Sequence, residues 1–166
     1  MVLGVAERYL GRNLRSVLDV GAGEGSWGRE LRRLRPGLRY LGVDPSEYVV
    51  ARHGRRRNIR LGRFEELHTM RLGTGFDLIV CADMLQYVAH APLARGIHHL
   101  ARLLGGVAYL EAYTTGDDME GDLDGWHPRS KVRYRRLFAA AGLTACGSHC
   151  YLGPRLAERA VELELL

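Results

Sequence analysis

The stretch Val17-Leu18-Asp19-Val20-Gly21-Ala22-Gly23-Glu24-Gly25-Ser26-Trp27-Gly28 decides the fold. A short apolar run ends in a cluster of glycines and an amphipathic stretch begins directly after it, so a buried strand turns sharply into a helix. Missing side chains let ligand atoms approach the backbone closely, and the exposed amides of a helix start favour an anion. A dinucleotide fold uses the same physics on pyrophosphate. Glycines alone therefore do not name the ligand, and the strict GxGxxG spacing fails at its last position, Ser26.

Two acids sharpen the reading. Asp19 lies inside the apolar run, where a carboxylate is expensive unless it orders loop amides or a ligand group. Asp44 ends the next apolar run, at the separation from the glycines where an acid commonly accepts both hydroxyls of a ribose. Together they point to a nucleoside-containing cofactor.

Outward from this stretch, apolar runs alternate with amphipathic ones, as parallel strands joined by crossover helices require. The strands are expected at Ser16 to Val20, Arg39 to Val43, Asn58 to Gly62, Phe76 to Ala82 and Gly106 to Tyr113. Trp27, Leu31 and Leu34 share one helix face, and Leu93, Ile97, Leu100 and Leu104 another. Val2, Val5, Ala6 and Tyr9 predict a leading helix stopped by Gly11, and Pro45 with Ser46 begins a helix that Gly54 ends. A polar stretch, Thr114 to Ser130, follows as the longest loop, then a helix carrying Tyr134, Leu137, Phe138 and Ala141 and stopped by Gly142. A sixth strand is expected from Leu143 to Leu152, and the alternation of Val161, Leu163 and Leu165 with Glu162 and Glu164 predicts a seventh. The fold class is α/β: a doubly wound, mostly parallel sheet of about seven strands, the last antiparallel, with helices on both faces.

The bulk composition agrees with this. A chain of 166 residues suits one domain spanning 1–166, and 46% hydrophobic with 26% charged residues describes an ordinary folded protein. No apolar run approaches the roughly 20 residues of a membrane span, and Met1 to Leu10 lacks the pattern of a signal peptide, so a cytoplasmic protein is expected. Cys81, Cys146 and Cys150 lack CxxC spacing and read as free thiols; a strand would send His149 to the face opposite Cys146 and Cys150, so no metal site is expected. The net charge of +5 rests on arginine, Lys131 being the only lysine. Its densest cluster, Arg52 to Arg60, suits either a solvated helix end or a surface that meets phosphates.

With these residues on the page, the chain resembles the class I S-adenosylmethionine-dependent methyltransferases over nearly its whole length. The likeness rests on Asp19-Val20-Gly21-Ala22-Gly23, on Asp44, on Phe76-Asp77-Leu78-Ile79-Val80-Cys81 and on the turn Leu103-Leu104-Gly105-Gly106-Val107. It implies S-adenosylmethionine as cofactor and S-adenosylhomocysteine as product. By the same resemblance, Gly21, Ala22 and Gly23 would face the methionine part, with Asp19 organising the loop. Asp44 would hold the ribose with Pro45 beside it, Arg63, Phe64 and Glu65 would neighbour the adenine, and Cys81 to Met84 (Cys81, Ala82, Asp83 and Met84) would line the reacting end. Arg63 stands where many relatives carry an aspartate.

The acceptor half is harder to read, because the sulfonium methyl is already activated and no particular side chain is obligatory. Cys81-Ala82-Asp83-Met84 lacks the Asn/Asp-Pro-Pro-aromatic sequence of enzymes that methylate nucleic-acid bases at nitrogen. Gln86 and Tyr87 occupy a stretch where a related pattern often places histidine, so no histidine base carries over to them. His127, between Trp126 and Pro128, is a candidate general base, or else a cap or surface contact; Tyr113 and His90 are further candidates. Asp77 reads as structural, and Asp83 as either a helix cap or a site residue. The five acids from Asp117 to Asp124 suit a cationic acceptor or plain solvation, and Leu123 stands where a calcium loop would need glycine. The expectation is an enzyme methylating a small-molecule acceptor at oxygen or nitrogen. Its alternatives are an RNA or protein methyltransferase docking through Arg52 to Arg60, or a cofactor-binding regulatory module.

Overall fold

A computed structural model describes residues 1–118 and 124–164. Glu120, Asp122, Leu123 and Leu165 lie outside the described residues. The elements run α1 (Val2–Leu10), β1 (Ser16–Val20), α2 (Ser26–Leu34), β2 (Arg39–Asp44), α3 (Glu47–Arg57), β3 (Ile59–Leu61), β4 (Phe76–Cys81), α4 (His90–Leu103), β5 (Leu104–Leu110), α5 (Lys131–Ala140), β6 (Thr144–Gly147), β7 (Cys150–Leu152) and α6 (Ala157–Glu164). Short 3-10 turns occupy Phe64–Glu66 and Leu85–Tyr87.

The seven strands form one sheet in the order β3-β2-β1-β4-β5-β7-β6. Strands β1 to β5 pair in parallel, and β7 runs antiparallel to both β5 and β6. All five residues of β1 are buried, as the central position demands. Alternation along the strands makes two cores. Leu18, Val20 and Val43 join Ile97 and Leu100 of α4 and Phe138 of α5 on one face, while Val17 and Tyr40 join Ala6 of α1 and Leu31 of α2 on the other. At the lower end of β4, Asp77 accepts from both terminal nitrogens of Arg12 at 2.8 and 2.7 Å and from the Arg15 amide at 2.8 Å. Burial pushes the Asp77 carboxyl up, but Arg12 and the amides together hold it below its usual range. The role of Asp77 is structural, tying the α1–β1 connection to the sheet.

The two outer elements at the C-terminal end differ from the sequence reading. The run Leu143 to Leu152 is two strands, not one, because Gly147, Ser148 and His149 all adopt left-handed conformations, with φ of 91°, 50° and 60°, and reverse the chain. Such conformations cost a non-glycine residue about 1 kcal/mol each. Pairing of β7 with β5 opposes that cost, through Val107 against Leu152, Tyr109 against Cys150 and the Leu110 amide on the His149 carbonyl at 2.9 Å. The antiparallel seventh strand is therefore Cys150–Leu152, and the segment expected to supply it, Val161 to Leu165, is instead helical through Glu164. Strand β5 also begins at Leu104 and stops at Leu110, leaving Tyr113 beyond its end. Among the described residues, no helix is long and apolar enough to cross a membrane, and no three His, Cys, Asp or Glu side chains converge as metal ligands.

Candidate functional site

The carboxyl ends of β1, β2 and β4 meet at a cleft of about 340 Å³ lined by Val20, Gly21, Asp44, Pro45, Gly62, Arg63, Phe64, Glu65, Met84, Tyr87 and Val88. A crevice at the strand ends is where an open parallel sheet offers room for a ligand. Its floor is the turn after β1. The amides of Gly21 and Ala22 both donate to the Val43 carbonyl, at 2.8 and 3.1 Å, so the turn is bonded to the neighbouring strand. Gly21 sits at φ 74° with Met84 above it; an added Cβ would lie 2.8 Å from Met84 Cγ. Gly23, at φ 51°, has open space within 4 Å of where its Cβ would be.

Asp44 organises this turn. One of its oxygens accepts from the Gly23 amide at 2.7 Å and the other from the Ser46 amide at 2.9 Å. The second lone pair on each oxygen is left for donors in the cleft, as two vicinal hydroxyls would supply. Asp19 sits differently from the expectation. It faces the α2 side of the sheet and accepts the Tyr40 hydroxyl at 2.6 Å, rather than ordering the loop amides, and it does not line the cleft. Burial pushes its pKa up to about 6 from the usual 3.8; the Tyr40 bond opposes that shift and the charge of Asp44 adds to it. Tyr40 was invisible in the sequence as a partner, although two glycines hint at it. A Cβ on Gly28 would come within 2.7 Å of its ring, and one on Gly42 within 3.3 Å of its hydroxyl. Glycine inside a helix and a strand costs stability unless something approaches closely, and here a ring does.

The remaining expected residues divide. Pro45, Phe64, Glu65 and Met84 line the cleft; Phe64 is also packed against Gly96 of α4, whose added Cβ would overlap its ring. Ala22 is buried beneath the turn against Gly42. The Cys81 side chain is fully buried in the sheet core and Ala82 packs toward the α1 side; of the stretch Cys81 to Met84 expected at the reacting end, Met84 lines the cleft and Cys81, Ala82 and Asp83 do not. The reason is the pleat: Cys81 still belongs to β4, and burial pushes its thiol pKa up.

Across the cleft mouth, the segment Asp83 to Val88 is flanked by the chain beyond β5. The Asp83 amide donates to the Glu111 carbonyl at 3.2 Å, and the His127 amide to the Gln86 carbonyl at 2.9 Å. His127 is thereby brought beside this wall, its ring 6.0 Å from that of His90. Tyr113 stands outside, 40% exposed. What fastens the loop is a residue that sequence reasoning missed. Arg129 is 1% exposed; its Nε donates to His90 Nδ1 at 2.8 Å, one terminal nitrogen to the Leu85 carbonyl and the Tyr134 hydroxyl, and the other to the Val88 carbonyl. His90 Nδ1 is thus an acceptor. Partial desolvation, with the charges of Arg129, Arg133 and His127, lowers the His90 pKa. No local pattern announces the pairings with His90, Leu85 and Val88, which join residues 39 to 44 positions apart. Two side-chain atoms at this wall, Gln86 Oε1 and Trp126 Nε1, are buried without a hydrogen-bond partner among the described residues.

Residues 5–148 match the methyltransferase domain family. No protein of curated function matches the sequence. Solved structures do. The sugar N-methyltransferase from Streptoalloteichus sp. is 27% identical with a TM-score of 0.60, over 73% of this chain and 50% of that one. The S-adenosylmethionine-bound amino pentose methyltransferase from Micromonospora echinaspora is 18% identical with a TM-score of 0.71, over 92% of this chain and 88% of that one. An S-adenosylmethionine-dependent methyltransferase from Archaeoglobus fulgidus is 16% identical with a TM-score of 0.66, over 86% and 68%. The chain thus spans half the length of the Streptoalloteichus protein, and the two less similar proteins share its fold. The family match covers most of the chain and coincides with the strand-end cleft, and on it the protein belongs to the class I S-adenosylmethionine-dependent methyltransferases.

Proposed function

We propose that residues 1–166 act as a single methyltransferase unit, in the cytoplasm, that moves the methyl group of S-adenosylmethionine to oxygen or nitrogen of a small molecule. The observation that carries the reading is the pairing of an open strand-end cleft with a loop fastened beside its mouth by the buried Arg129. With the chain around His127 and Arg129 held that close, a small acceptor fits better than a helix or a duplex. In this reading Gly21 and Gly23 face the methionine part, and Asp44, with Pro45, accepts the ribose hydroxyls. Phe64 and Glu65 neighbour the adenine, and Met84 borders the reacting end. His127 and Tyr113 belong to the acceptor side. Asp19 acts from below, through Tyr40 and the end of β1. The bound cofactor supplies an activated methyl, so the chain's own task is to align the acceptor and exclude water.

The sugar and amino pentose methyltransferases among the similar structures support a small acceptor. Docking of RNA or protein through Arg52 to Arg60 has less support. Arg52 donates to the Tyr48 hydroxyl, Arg57 to the Glu24 carbonyl and Arg60 to the Arg71 carbonyl, so three of the five arginines already serve the fold. Turnover of a panel of small hydroxylated and amino compounds with methyl-labelled S-adenosylmethionine tests the proposal. Labelled product from at least one compound is expected; tight cofactor binding with no S-adenosylhomocysteine from any acceptor would favour the regulatory module.

A further inference from the structure

We infer that a second cavity, between α4 and the 3-10 turn Phe64–Glu66, is a binding site for a small phosphorylated molecule. It measures about 370 Å³ and adjoins the strand-end cleft, since Phe64 and Glu65 border both. The inference stands independently of the methyl-transfer reading. Helix α4 carries no acid along its length. Leu93, Ile97 and Leu100 turn into the core, so Arg95, His98, His99 and Arg102 follow one another along the flank of the helix that lines the cavity. The opposite wall arrives through a glycine. An added Cβ on Gly96 would overlap the Phe64 ring, so the turn seats directly on the helix and brings His68 across, its ring 6.5 Å from that of His99.

Hydrogen bonds fix part of this wall. A terminal nitrogen of Arg102 lies 3.0 Å from His99 Nδ1, and because a guanidinium only donates, Nδ1 accepts. Partial desolvation, with the charges of Arg102 and His68, lowers the His99 pKa, and a bond to the Leu67 backbone opposes that shift. His99 is thus a neutral brace that ties α4 to the turn and aims Arg102. His68 Nδ1 donates to the Glu65 carbonyl at 2.9 Å, which leaves Nε2 for a ligand.

Charge selects that ligand. Among the described residues, no acid forms an ion pair with Arg95 or Arg102, and Glu65 is the one acid of the lining. Arg95, His98, Arg102 and His68 are all exposed, whereas Phe64 and Leu67 close the floor at 3% and 1% exposure. A carboxylate brings one charge and two oxygens; a phosphate group brings nearly two charges and three acceptor oxygens, which suits two guanidiniums. Arg95 and Arg102 stand about 10 Å apart along the helix axis, so a diphosphate engages both better than a single phosphate. A nucleic-acid strand fits less well, because the one aromatic ring besides the imidazoles, that of Phe64, is buried and offers no face for a base.

Calorimetric titration of the whole chain with inorganic pyrophosphate tests the site, at about 0.15 M ionic strength and with S-adenosylhomocysteine in excess. Binding with Kd below about 1 mM is expected. Arg95→Gln with Arg102→Gln should weaken it about tenfold or more, and Arg95→Gln alone about threefold. Arg56→Gln, on α3 and outside the cavity, should leave it unchanged. Arg95 has no hydrogen-bond partner among the described residues, so its loss removes no contact of the fold and a weaker affinity reports the ligand. In NMR spectra at constant pH, the ring C–H resonances of His68 and His98 should move with pyrophosphate while those of His53 and His149 stay. Absence of binding, equal losses in Arg95→Gln and Arg56→Gln, or displacement of pyrophosphate by S-adenosylhomocysteine would overturn the inference. So would a single-stranded oligonucleotide that binds where pyrophosphate does not. Failure of S-adenosylhomocysteine to bind would strike the methyl-transfer reading instead, and the variants and histidine shifts would still locate the anion.

Discussion

The turn after β1 lines the cleft and the chain around His127 and Arg129 packs beside its wall, yet they are held in different ways. The turn is fastened by backbone: Gly21 and Ala22 amides on the Val43 carbonyl, and the Gly23 amide on Asp44 at the end of the adjacent strand. The loop is fastened chiefly by a side chain, the guanidinium of Arg129, which reaches two carbonyls, an imidazole and a phenol on neighbouring elements. The first arrangement is as rigid as the sheet and leaves little freedom for change. The second rests on one side chain, as suits a segment proposed to border the acceptor. The proposed cofactor side is thus built into the fold, and the proposed acceptor side is attached to it.

The contrast predicts separable defects, and the largest is expected at the loop. Arg129→Met leaves several buried acceptors without donors and should cost about 4 kcal/mol of stability in urea denaturation. Cofactor affinity of the folded fraction should stay within threefold. A parallel fall in cofactor affinity would show that the two regions are not independent.

Next in size is a pH effect beneath the turn. Asp19 keeps its proton to about pH 6 in the folded protein, against 3.8 as the ordinary value. Its contribution to stability is therefore fully present below pH 3.8 and is lost as pH rises through 6. The stability difference between the protein and Asp19→Asn should fall by about 3 kcal/mol across that window. Denaturation curves at pH 4 and pH 7 for both proteins check this, and a pH-independent difference would contradict the raised pKa.

Smaller again, Asp44→Ala should weaken cofactor binding by about 2 kcal/mol, roughly 30-fold. His127→Ala should change it less than twofold. Equal affinities by calorimetric titration would remove the distinction between the two regions. The smallest effects separate the two glycines of the turn. Gly21→Ala meets both a left-handed backbone and Met84, and should cost about 2 kcal/mol in cofactor affinity. Gly23→Ala meets only the backbone penalty, about 1 kcal/mol. Met84→Ala should recover part of the first loss and none of the second.

Which features were legible follows the same division. The strand, turn and helix from Ser16 to Leu34 were readable because their signals are local: an apolar run, glycines where the chain must bend, and a 3.6-residue period after them. Asp44 was readable because a strand places its last residue at a known edge. Cys81 and Ala82 were placed at the reacting end by likeness alone; the pleat of β4 buries Cys81 in one core, and Ala82, one residue past the strand, packs toward the other. The end of the chain misled because Leu143 to Leu152 reads as one apolar run, while its reversal at Ser148 and His149 is stabilised by pairing of β7 with β6 and with β5, some forty residues earlier. Val161 to Glu164 satisfies both periods, and the helix prevailed.

By itself, then, the sequence determined a parallel sheet with a glycine-rich turn at a strand end and an acid on the next strand, because those features arise between near neighbours in the chain. Tertiary structure alone decided that Asp19 answers to Tyr40, that Arg129 fastens the chain after the loop to the wall, and that Gln86 is buried with one oxygen lacking a partner among the described residues. Each depends on which distant residues the folded chain brings within hydrogen-bond reach, and a reach of about 3 Å is too short for any pattern along the chain to specify.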